Sequence, residues 1–153
     1  MTINIDTSSA ATPSSCPASA PPAAPPAIRT IAMPADTNPA GDIFGGWLMA
    51  QMDLAAGNAA ARRAQGRCAT VAVEAMAFLS PVFVGDEVSL YAEVVSVGRT
   101  SLRIAVEAWR RGREGEETSQ VTRAVLTFVA IDANRRPRPV SPGVVAGRRP
   151  TGS

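Results

Sequence analysis

The stretch GGWLMAQMDLAAGNAAARRAQ, residues 45–65, decides the fold. Its large apolar residues recur among alanines with the spacing of a helix, and Gly66 predicts where that helix ends. These large apolar residues are Trp47, Leu48, Met49, Met52 and Leu54. The small residues between them would let neighbouring elements approach closely. We therefore expect one long helix enclosed by other structure.

Five strand-like segments accompany this helix, one before it and four after it. They are residues 28–33, 69–79, 86–97, 100–111 and 119–131. Gly98-Arg99 predicts a two-residue hairpin connection. This order predicts an α+β fold, with a five-stranded antiparallel sheet around one central helix. Because a single helix covers such a sheet poorly, we also expect dimerisation through edge strands.

The segment 69–79 alternates in polarity, so its successive side chains are expected on opposite faces of the sheet. One face would carry Val71, Val73 and Ala75, and the other Thr70, Ala72 and Glu74. Glu74 is expected to be structural, as a sheet residue or an ion-pair partner.

The chain has 153 residues, 46% hydrophobic and 18% charged, which is enough for one domain with its own core. Residues 1–27 hold six prolines and one charge, which predicts a disordered tail. The domain is expected over residues 28–139. Residues 140–153, rich in Arg, Pro and Gly, are expected to form a second, flexible tail. A net charge of +2 does not favour a nucleic-acid groove.

Two residue types are absent, and their absence excludes several kinds of site. Without histidine the chain has no Ser-His-Asp triad, no Cys-His pair and no His-ligated metal. All 15 basic residues are arginine, so Schiff-base and Walker-type lysine chemistry is also excluded. Cys16 and Cys68 are too few for a four-cysteine zinc site, and Cys16 lies in the predicted tail, which disfavours a structural disulfide. We expect no metal and no cofactor.

The hydropathy of the chain predicts its location. No apolar run approaches the roughly 18 residues that a membrane helix needs. The N-terminus lacks the positive and apolar regions of an ordinary signal peptide. We therefore expect a cytoplasmic protein with no membrane partner.

Asp53 is the most unusual residue of the predicted helix. Gln51, Asp53 and Asn58 are its only polar residues between Gly46 and Arg62. One interpretation is that Asp53 faces solvent on the single polar stripe. The other is that it serves as a general base, since carboxylates in apolar surroundings are suited to that chemistry.

The segment GDIFGGW, residues 41–47, leads into the helix and also allows two interpretations. Asp42 and the glycines could form a simple turn, with the negative charge favoured near a helix N-terminus. Alternatively, the amides of Gly45 and Gly46 could bind an oxyanion, because first-turn amides have no partner within a helix. Gly46 and Asp53 are about 10 Å apart along the helix axis. If the two act together, the spacing predicts a site shared between two protomers.

Two further features lie on or between strands. The Thr70 hydroxyl could position water or a carboxylate, although threonine is common in strands for packing reasons alone. Arg99, Thr100 and Ser101 could bind phosphate at a hairpin, or could form a solvated turn.

Several motifs, in this order, resemble the cytosolic acyl-CoA thioester hydrolase family of the hotdog fold. They are RTIAMPADTN (29–38), GDIFGGW (41–47), QMD (51–53), TVAVE (70–74), FLSP (78–81), VGD (84–86), GRTS (98–101) and TFVAID (127–132). The resemblance covers about residues 28–139. It implies a long helix wrapped by a five-stranded antiparallel sheet. It also implies paired protomers with shared active sites, often assembled as a hexameric trimer of dimers.

The resemblance also assigns roles to the candidate residues. It implies that Asp53 is the main catalytic carboxylate and that Asp42 assists it. The amides of Gly45 and Gly46 would polarise the thioester carbonyl, and Thr70 would support the site. By the same resemblance, the hairpin residues Arg99, Thr100 and Ser101 lie near the CoA portion of the substrate.

The sequence thus predicts hydrolysis of acyl-CoA to free fatty acid and CoA, with Asp53 as general base or as nucleophile. A hotdog dehydratase or hydratase is a poor alternative. Enzymes of that kind are expected to use a histidine, and this chain has none. A non-catalytic acyl-CoA-binding module that senses its ligand is the alternative from another functional class.

Overall fold

The structure, a computed structural model, describes residues 18–142. Its elements follow the predicted order, each within two residues of the expected bounds. They are β1 (Ile28–Ile31), a 3₁₀ turn (Pro34–Asp36), α1 (Gly45–Ala64), β2 (Cys68–Phe78), β3 (Glu87–Val97), β4 (Ser101–Arg111) and β5 (Thr118–Ala130). The five strands form one antiparallel sheet in the order β1-β3-β4-β5-β2. The predicted α+β architecture is confirmed.

Helix α1 packs on one face of this sheet, here called the inner face. Its buried residues are Leu48, Met52, Ala55, Ala56, Ala60 and Ala64, which recur every three or four positions. They contact a sheet core that includes Leu90, Leu102, Ile104, Val106, Leu126 and Phe128. Because most of the helical contacts are alanines, the axis lies close to the sheet, as the small residues of the sequence predict.

The β3–β4 connection differs by one residue from its prediction. The Gly98 N–H donates to the Ser101 carbonyl at 2.7 Å, and Val97 pairs with Leu102. The two central residues of the turn are therefore Arg99 and Thr100, and the predicted Gly98-Arg99 connection is wrong by one position. The reason is that Gly98 remains paired at the end of the ladder.

Residues 18–27 run over the opposite, outer face of the sheet, and we call them the N-terminal strap. The Ala27 N–H donates to the Leu90 carbonyl at 2.7 Å, and the Ala18 N–H donates to Gln120 Oε1 at 2.9 Å. Pro21 and Trp109 line the same depression, and Trp109 is only 2% exposed although it lies on this outer face. These ten residues thus contact the domain, whereas the predicted disorder of residues 1–17 lies outside the described residues.

The chain also continues past the last strand in contact with the domain. The Arg138 N–H donates to the Ala130 carbonyl, and the Val140 N–H donates to the Arg99 carbonyl at 2.8 Å. Val140, the first residue of the predicted C-terminal tail, is 7% exposed and belongs to the core. The rest of that tail, from residue 143, lies outside the described part of the chain.

Candidate active site

A depression of about 480 Å³ opens between α1 and the inner face of strands β2 and β5. Three of the predicted site residues line it: Gly46, Asp53 and Thr70. Its other lining residues are apolar, namely Met49, Ala50, Met52, Val73, Met76, Ala124 and Leu126. Among residues 18–142, Asp53 is the one ionisable residue that lines it. The depression therefore presents a single carboxylate on an apolar wall.

The Asp53 carboxylate is held by a hydrogen bond from the neighbouring strand. The Thr70 hydroxyl donates to Asp53 Oδ1 at 2.5 Å. Asp53 is half-buried, and within the described residues its second oxygen, Oδ2, has no hydrogen-bond partner. Thr70 thus fixes the orientation of the carboxylate and leaves one oxygen available for chemistry.

A bulge in β2 places Thr70 on the side where it can reach Asp53. Thr70 pairs with Phe128 and Ala72 with Thr127, so Val71 is an extra residue in this strand. The bulge brings Thr70 and Val73 to the same, helix-facing side, and both line the depression. The predicted alternation, with Thr70 and Val73 on opposite faces, is therefore wrong.

Glu74 lies on the outer face of the sheet, away from the depression. Its Oε2 accepts a hydrogen bond from Arg103 Nη2 at 2.6 Å, and both side chains are about half exposed. The expectation that Glu74 is structural is consistent with this surface ion pair, which contributes little to stability.

The start of α1 leaves two backbone donors without partners. The N-cap residue is Phe44, which has no side-chain acceptor to cap the first amides. Within residues 18–142, the N–H groups of Gly45 and Gly46 donate to no acceptor. A Cβ on Gly46 would lie 3.1 Å from the Phe44 ring, and a Cβ on Gly45 would lie 3.3 Å from the Phe78 ring. Glycine thus permits the close packing of two aromatic rings around these free amides.

The two glycines border different depressions. Gly46 lines the depression of Asp53, while Gly45 lines a second one, of about 340 Å³, beside Phe78 and Val82. The oxyanion pair that the sequence predicts therefore does not converge on one depression within a single protomer.

Asp42 and the hairpin residues lie outside the Asp53 depression. Asp42 is exposed, and its backbone exchanges hydrogen bonds with Asn38, through the Asn38 N–H and Asn38 Oδ1. Arg99, Thr100 and Ser101 lie in the β3–β4 turn. The register places Leu102, Phe128 and Thr70 side by side across β4, β5 and β2, so the turn is about 10 Å from Thr70 across the sheet.

The apolar wall of the depression was not assigned from the sequence. Val73, Met76, Ala124 and Leu126 come from two strands that are distant in the chain, and only their pairing brings them together. On the helix side of the wall, the sequence pattern predicts that Met49, Ala50 and Met52 belong to a helix, but not that they line a depression. No sequence signal distinguishes such lining residues from ordinary core.

Two further observations concern metal binding and membranes. Within residues 18–142, no group of three or more Cys, Asp or Glu side chains is placed to hold a metal ion. No described helix is long and apolar enough to cross a membrane.

Cys68 lies at the start of β2. Burial raises the pKa of its thiol, and the positive charge of the nearby Arg138 opposes this rise. Cys68 has no disulfide partner among the described residues, and Cys16 lies outside them.

Comparison with known proteins identifies relatives of this chain. Residues 40–117 match the thioesterase superfamily. The chain is 57% identical over 116 residues to an uncharacterized acyl-CoA thioester hydrolase of Zymomonas mobilis, with 76% of this chain and 78% of that protein covered. It is 49% identical over 114 residues to the acyl-CoA thioester hydrolase YciA of Escherichia coli K12, with 72% and 86% covered. The hexameric thioesterase y2039 from Yersinia pestis has a similar structure, with a TM-score of 0.76 and 47% identity over 80% of this chain and 99% of that one.

Proposed function

The chain belongs to the thioesterase superfamily, has the hotdog fold and hydrolyses acyl-CoA thioesters, and we propose that Asp53 is the carboxylate that drives this hydrolysis. The products are a free acid and CoA. The observation that supports this role is the position of Asp53. Among residues 18–142 it is the one ionisable residue that lines the apolar depression, and there Thr70 orients it while Oδ2 has no hydrogen-bond partner.

Two routes are open to this carboxylate. As a general base, Asp53 takes a proton from water while the water oxygen attacks the thioester carbonyl. The tetrahedral intermediate then collapses, the C–S bond breaks, and the CoA thiolate takes up the proton. As a nucleophile, Asp53 itself attacks the thioester carbonyl, the C–S bond breaks as a mixed anhydride forms, and the CoA thiolate leaves and takes up a proton from solvent. Water then hydrolyses the anhydride, which releases the free acid and restores the Asp53 carboxylate. Both routes need the Thr70 hydrogen bond to hold the carboxylate toward the substrate.

The amides at the start of α1 supply the oxyanion site. The N–H groups of Gly45 and Gly46, which have no acceptor within residues 18–142, would stabilise the negative charge that develops on the carbonyl oxygen. Such donors contribute several kcal/mol to transition-state binding in comparable sites. Asp42, three residues before Gly45, assists at this end of the helix.

The oxyanion site and Asp53 come from different protomers in this proposal. Along α1, Gly46 and Asp53 are separated by about 10 Å, too far for one carbonyl group to contact both. Strand β2 is an edge strand whose residues 70–75 are exposed, and Val71 is 58% exposed. Exposed apolar residues on an edge strand favour pairing with a second copy. The pair would bring the helix start of one protomer to Asp53 of the other.

Larger assembly and substrate contacts complete the proposal. Since the relative from Yersinia pestis is hexameric, we expect this chain to form a homo-oligomer, a trimer of such dimers. The acyl chain occupies the apolar depression, and Arg99, Thr100 and Ser101 contact the CoA portion. The reaction as written needs no metal or cofactor, and the cytoplasm remains the location that we expect.

Thiol release from short-, medium- and long-chain acyl-CoAs tests the proposed function. We expect release of CoA with at least one chain length, and the panel identifies the preferred one. Saturable binding of acyl-CoA by a folded oligomer, without any release of thiol, would instead support the acyl-CoA-binding module.

A further inference from the structure

Strand β2 contains a second bulge, further along the strand than the one at Val71. In this second bulge the two residues Ala75 and Met76 oppose the single residue Ala124 of β5. Ala75 has a φ of 49°, in the left-handed region that glycine usually supplies at such a bulge. This backbone conformation is unfavourable for alanine, and strain of that kind persists where the surrounding structure requires it. The conformation of Ala75 therefore draws attention to the side chain that the bulge positions.

That side chain is Met76, which the bulge directs toward the helix. Met76 lines the Asp53 depression and packs against the core, although it belongs to an edge strand. In a regular strand Met76 would share the outer face with Glu74, two residues earlier. The bulge thus turns a large, flexible apolar side chain into the depression.

Met76 lies at the end of the depression that is far from the carboxylate. One end is marked by Thr70, which contacts Asp53. At the other end the start of α1 lies against the end of β2, since a Cβ on Gly45 would be 3.3 Å from the Phe78 ring. Helix α1 therefore runs antiparallel to β2, and the depression extends between them from the carboxylate to Met76.

Two separations give the length of the depression. Thr70 and Met76 lie opposite β5 residues that are four positions apart, which corresponds to about 13 Å along the sheet. Along α1, Asp53 and Gly46, which both line the depression, are about 10 Å apart. Since an extended chain advances about 1.2 Å per bond, an acyl chain that starts at Asp53 reaches Met76 after about eight to ten carbons.

We propose that Met76 is the end wall of the acyl site and sets the preferred chain length, at about eight to ten carbons. Shorter chains leave the apolar end of the depression unfilled, so they gain less from burial. Longer chains meet Met76 and must bend or leave their last carbons in water. This inference rests on the proposed function, which places the thioester at Asp53 and the acyl chain in the depression.

Two substitutions at Met76 test the inference in opposite directions. Met76→Ala lengthens the depression, and Met76→Trp shortens it. Met33→Ala removes the same side chain from an exposed position outside the depression and serves as the control. The assay measures kcat/KM for straight-chain substrates in two-carbon steps, from butyryl-CoA to palmitoyl-CoA, each below the concentration at which it forms micelles. If Met76→Trp does not fold, Met76→Ala alone decides the outcome.

The expected result is a shift in the chain-length profile. In the wild type, kcat/KM should rise by up to about fourfold per added methylene until the chain reaches Met76, and then level off or fall. In Met76→Ala, the ratio of kcat/KM for dodecanoyl-CoA to that for octanoyl-CoA should increase about tenfold, because roughly two more methylenes are buried. In Met76→Trp, the ratio for octanoyl-CoA to butyryl-CoA should decrease by about the same factor. Both ratios should stay at their wild-type values in Met33→Ala.

Three outcomes would overturn the inference. The first is a wild-type profile that keeps rising beyond dodecanoyl-CoA, which would show that no end wall exists. The second is a Met76→Ala profile equal to that of Met33→Ala. The third is a loss of the same size at every chain length in the Met76 variants, which would make Met76 a purely structural residue. Failure of the wild type to release thiol from any acyl-CoA would instead refute the proposed function itself.

Discussion

At the scale of single residues, the site depends on the contact between Asp53 and Thr70. A half-buried carboxylate on an apolar wall loses hydration and needs a donor to offset that loss. Thr70 supplies it at 2.5 Å, and it can do so only because the Val71 bulge turns its side chain toward the helix. The geometry of one hydroxyl therefore depends on an irregularity in the strand that carries it.

Replacing Thr70 by valine tests this dependence. The Thr70→Val variant keeps the shape of the side chain and removes the donor. A hydrogen bond to a charged group contributes about 1.5–3 kcal/mol, so kcat/KM should fall about ten- to a hundredfold, with little change in Tm. Steady-state assays with an acyl-CoA measure the effect.

The conservative variant Thr70→Ser provides the control, since it retains the hydroxyl. Its kcat/KM should stay within a few fold of wild type. Equal activity of the serine and valine variants would contradict the positioning role of Thr70.

The sequence was sufficient to select Asp53 and Thr70, but it could not place them in contact. Asp53 is conspicuous because polar residues are scarce in α1. The bulge at Val71 has no comparable signal, since Ala, Val and Thr fit a regular strand and a bulged one equally well. The regular alternation therefore predicts opposite faces for Thr70 and Val73, whereas both face the helix.

At the scale of elements, the N-terminal strap covers part of the outer face of the sheet. Ala18 contacts this face through Gln120, and Ala27 continues the backbone pairing of β1 with β3 at Leu90. Trp109 is buried there beside Pro21. Burial of a tryptophan removes a large apolar surface from water, so the strap should stabilise the domain.

Two N-terminal deletions test this role, with Trp47→Phe introduced in both so that fluorescence reports Trp109. Deletion of residues 1–27 should shift the emission to longer wavelength and lower Tm by about 5 °C, the effect of roughly 1 kcal/mol. Deletion of residues 1–17 leaves the strap in place and should change neither quantity. A red shift of equal size in both proteins would contradict the proposed contact.

Sequence reasoning predicted α1 and the five strands because their periodicity is local, and it missed the strap because its partners are distant. Proline-rich composition predicts extended backbone, which is how the segment lies. Whether such backbone is free or packed depends on Trp109 and Gln120, about 90 and 100 positions further along the chain. Val140 belongs to the core although it lies past the predicted end of the domain at residue 139. It was missed for the same reason, because its partner Arg99 is distant in the sequence.

At the scale of the whole molecule, the shared site makes a prediction about mixed oligomers. The Asp53→Asn variant lacks the carboxylate. The Gly46→Val variant crowds Phe44, since even a Cβ at Gly46 would lie 3.1 Å from its ring, and so should disturb the helix start. Each variant alone should be inactive. In a mixed dimer, one site contains both defects and the other contains neither.

Co-refolding or co-expression of the two variants should therefore restore activity. With random pairing, half of the dimers are mixed and each has one intact site, so about a quarter of wild-type activity should return. Mixing of the purified variants without exchange of protomers is the control. Exchange of protomers without any recovery would show that the carboxylate and the amides act within one protomer.

The central claim is that Asp53 drives hydrolysis of the acyl-CoA thioester, and the most direct measurement compares Asp53→Asn with the wild type. The assay follows thiol release under saturating acyl-CoA, together with acyl-CoA binding and Tm. We predict that the variant loses turnover by at least about a thousandfold, as essential catalytic groups generally do, while it still binds acyl-CoA and unfolds at a similar temperature. Turnover by a folded Asp53→Asn variant at a rate close to that of the wild type would contradict the claim.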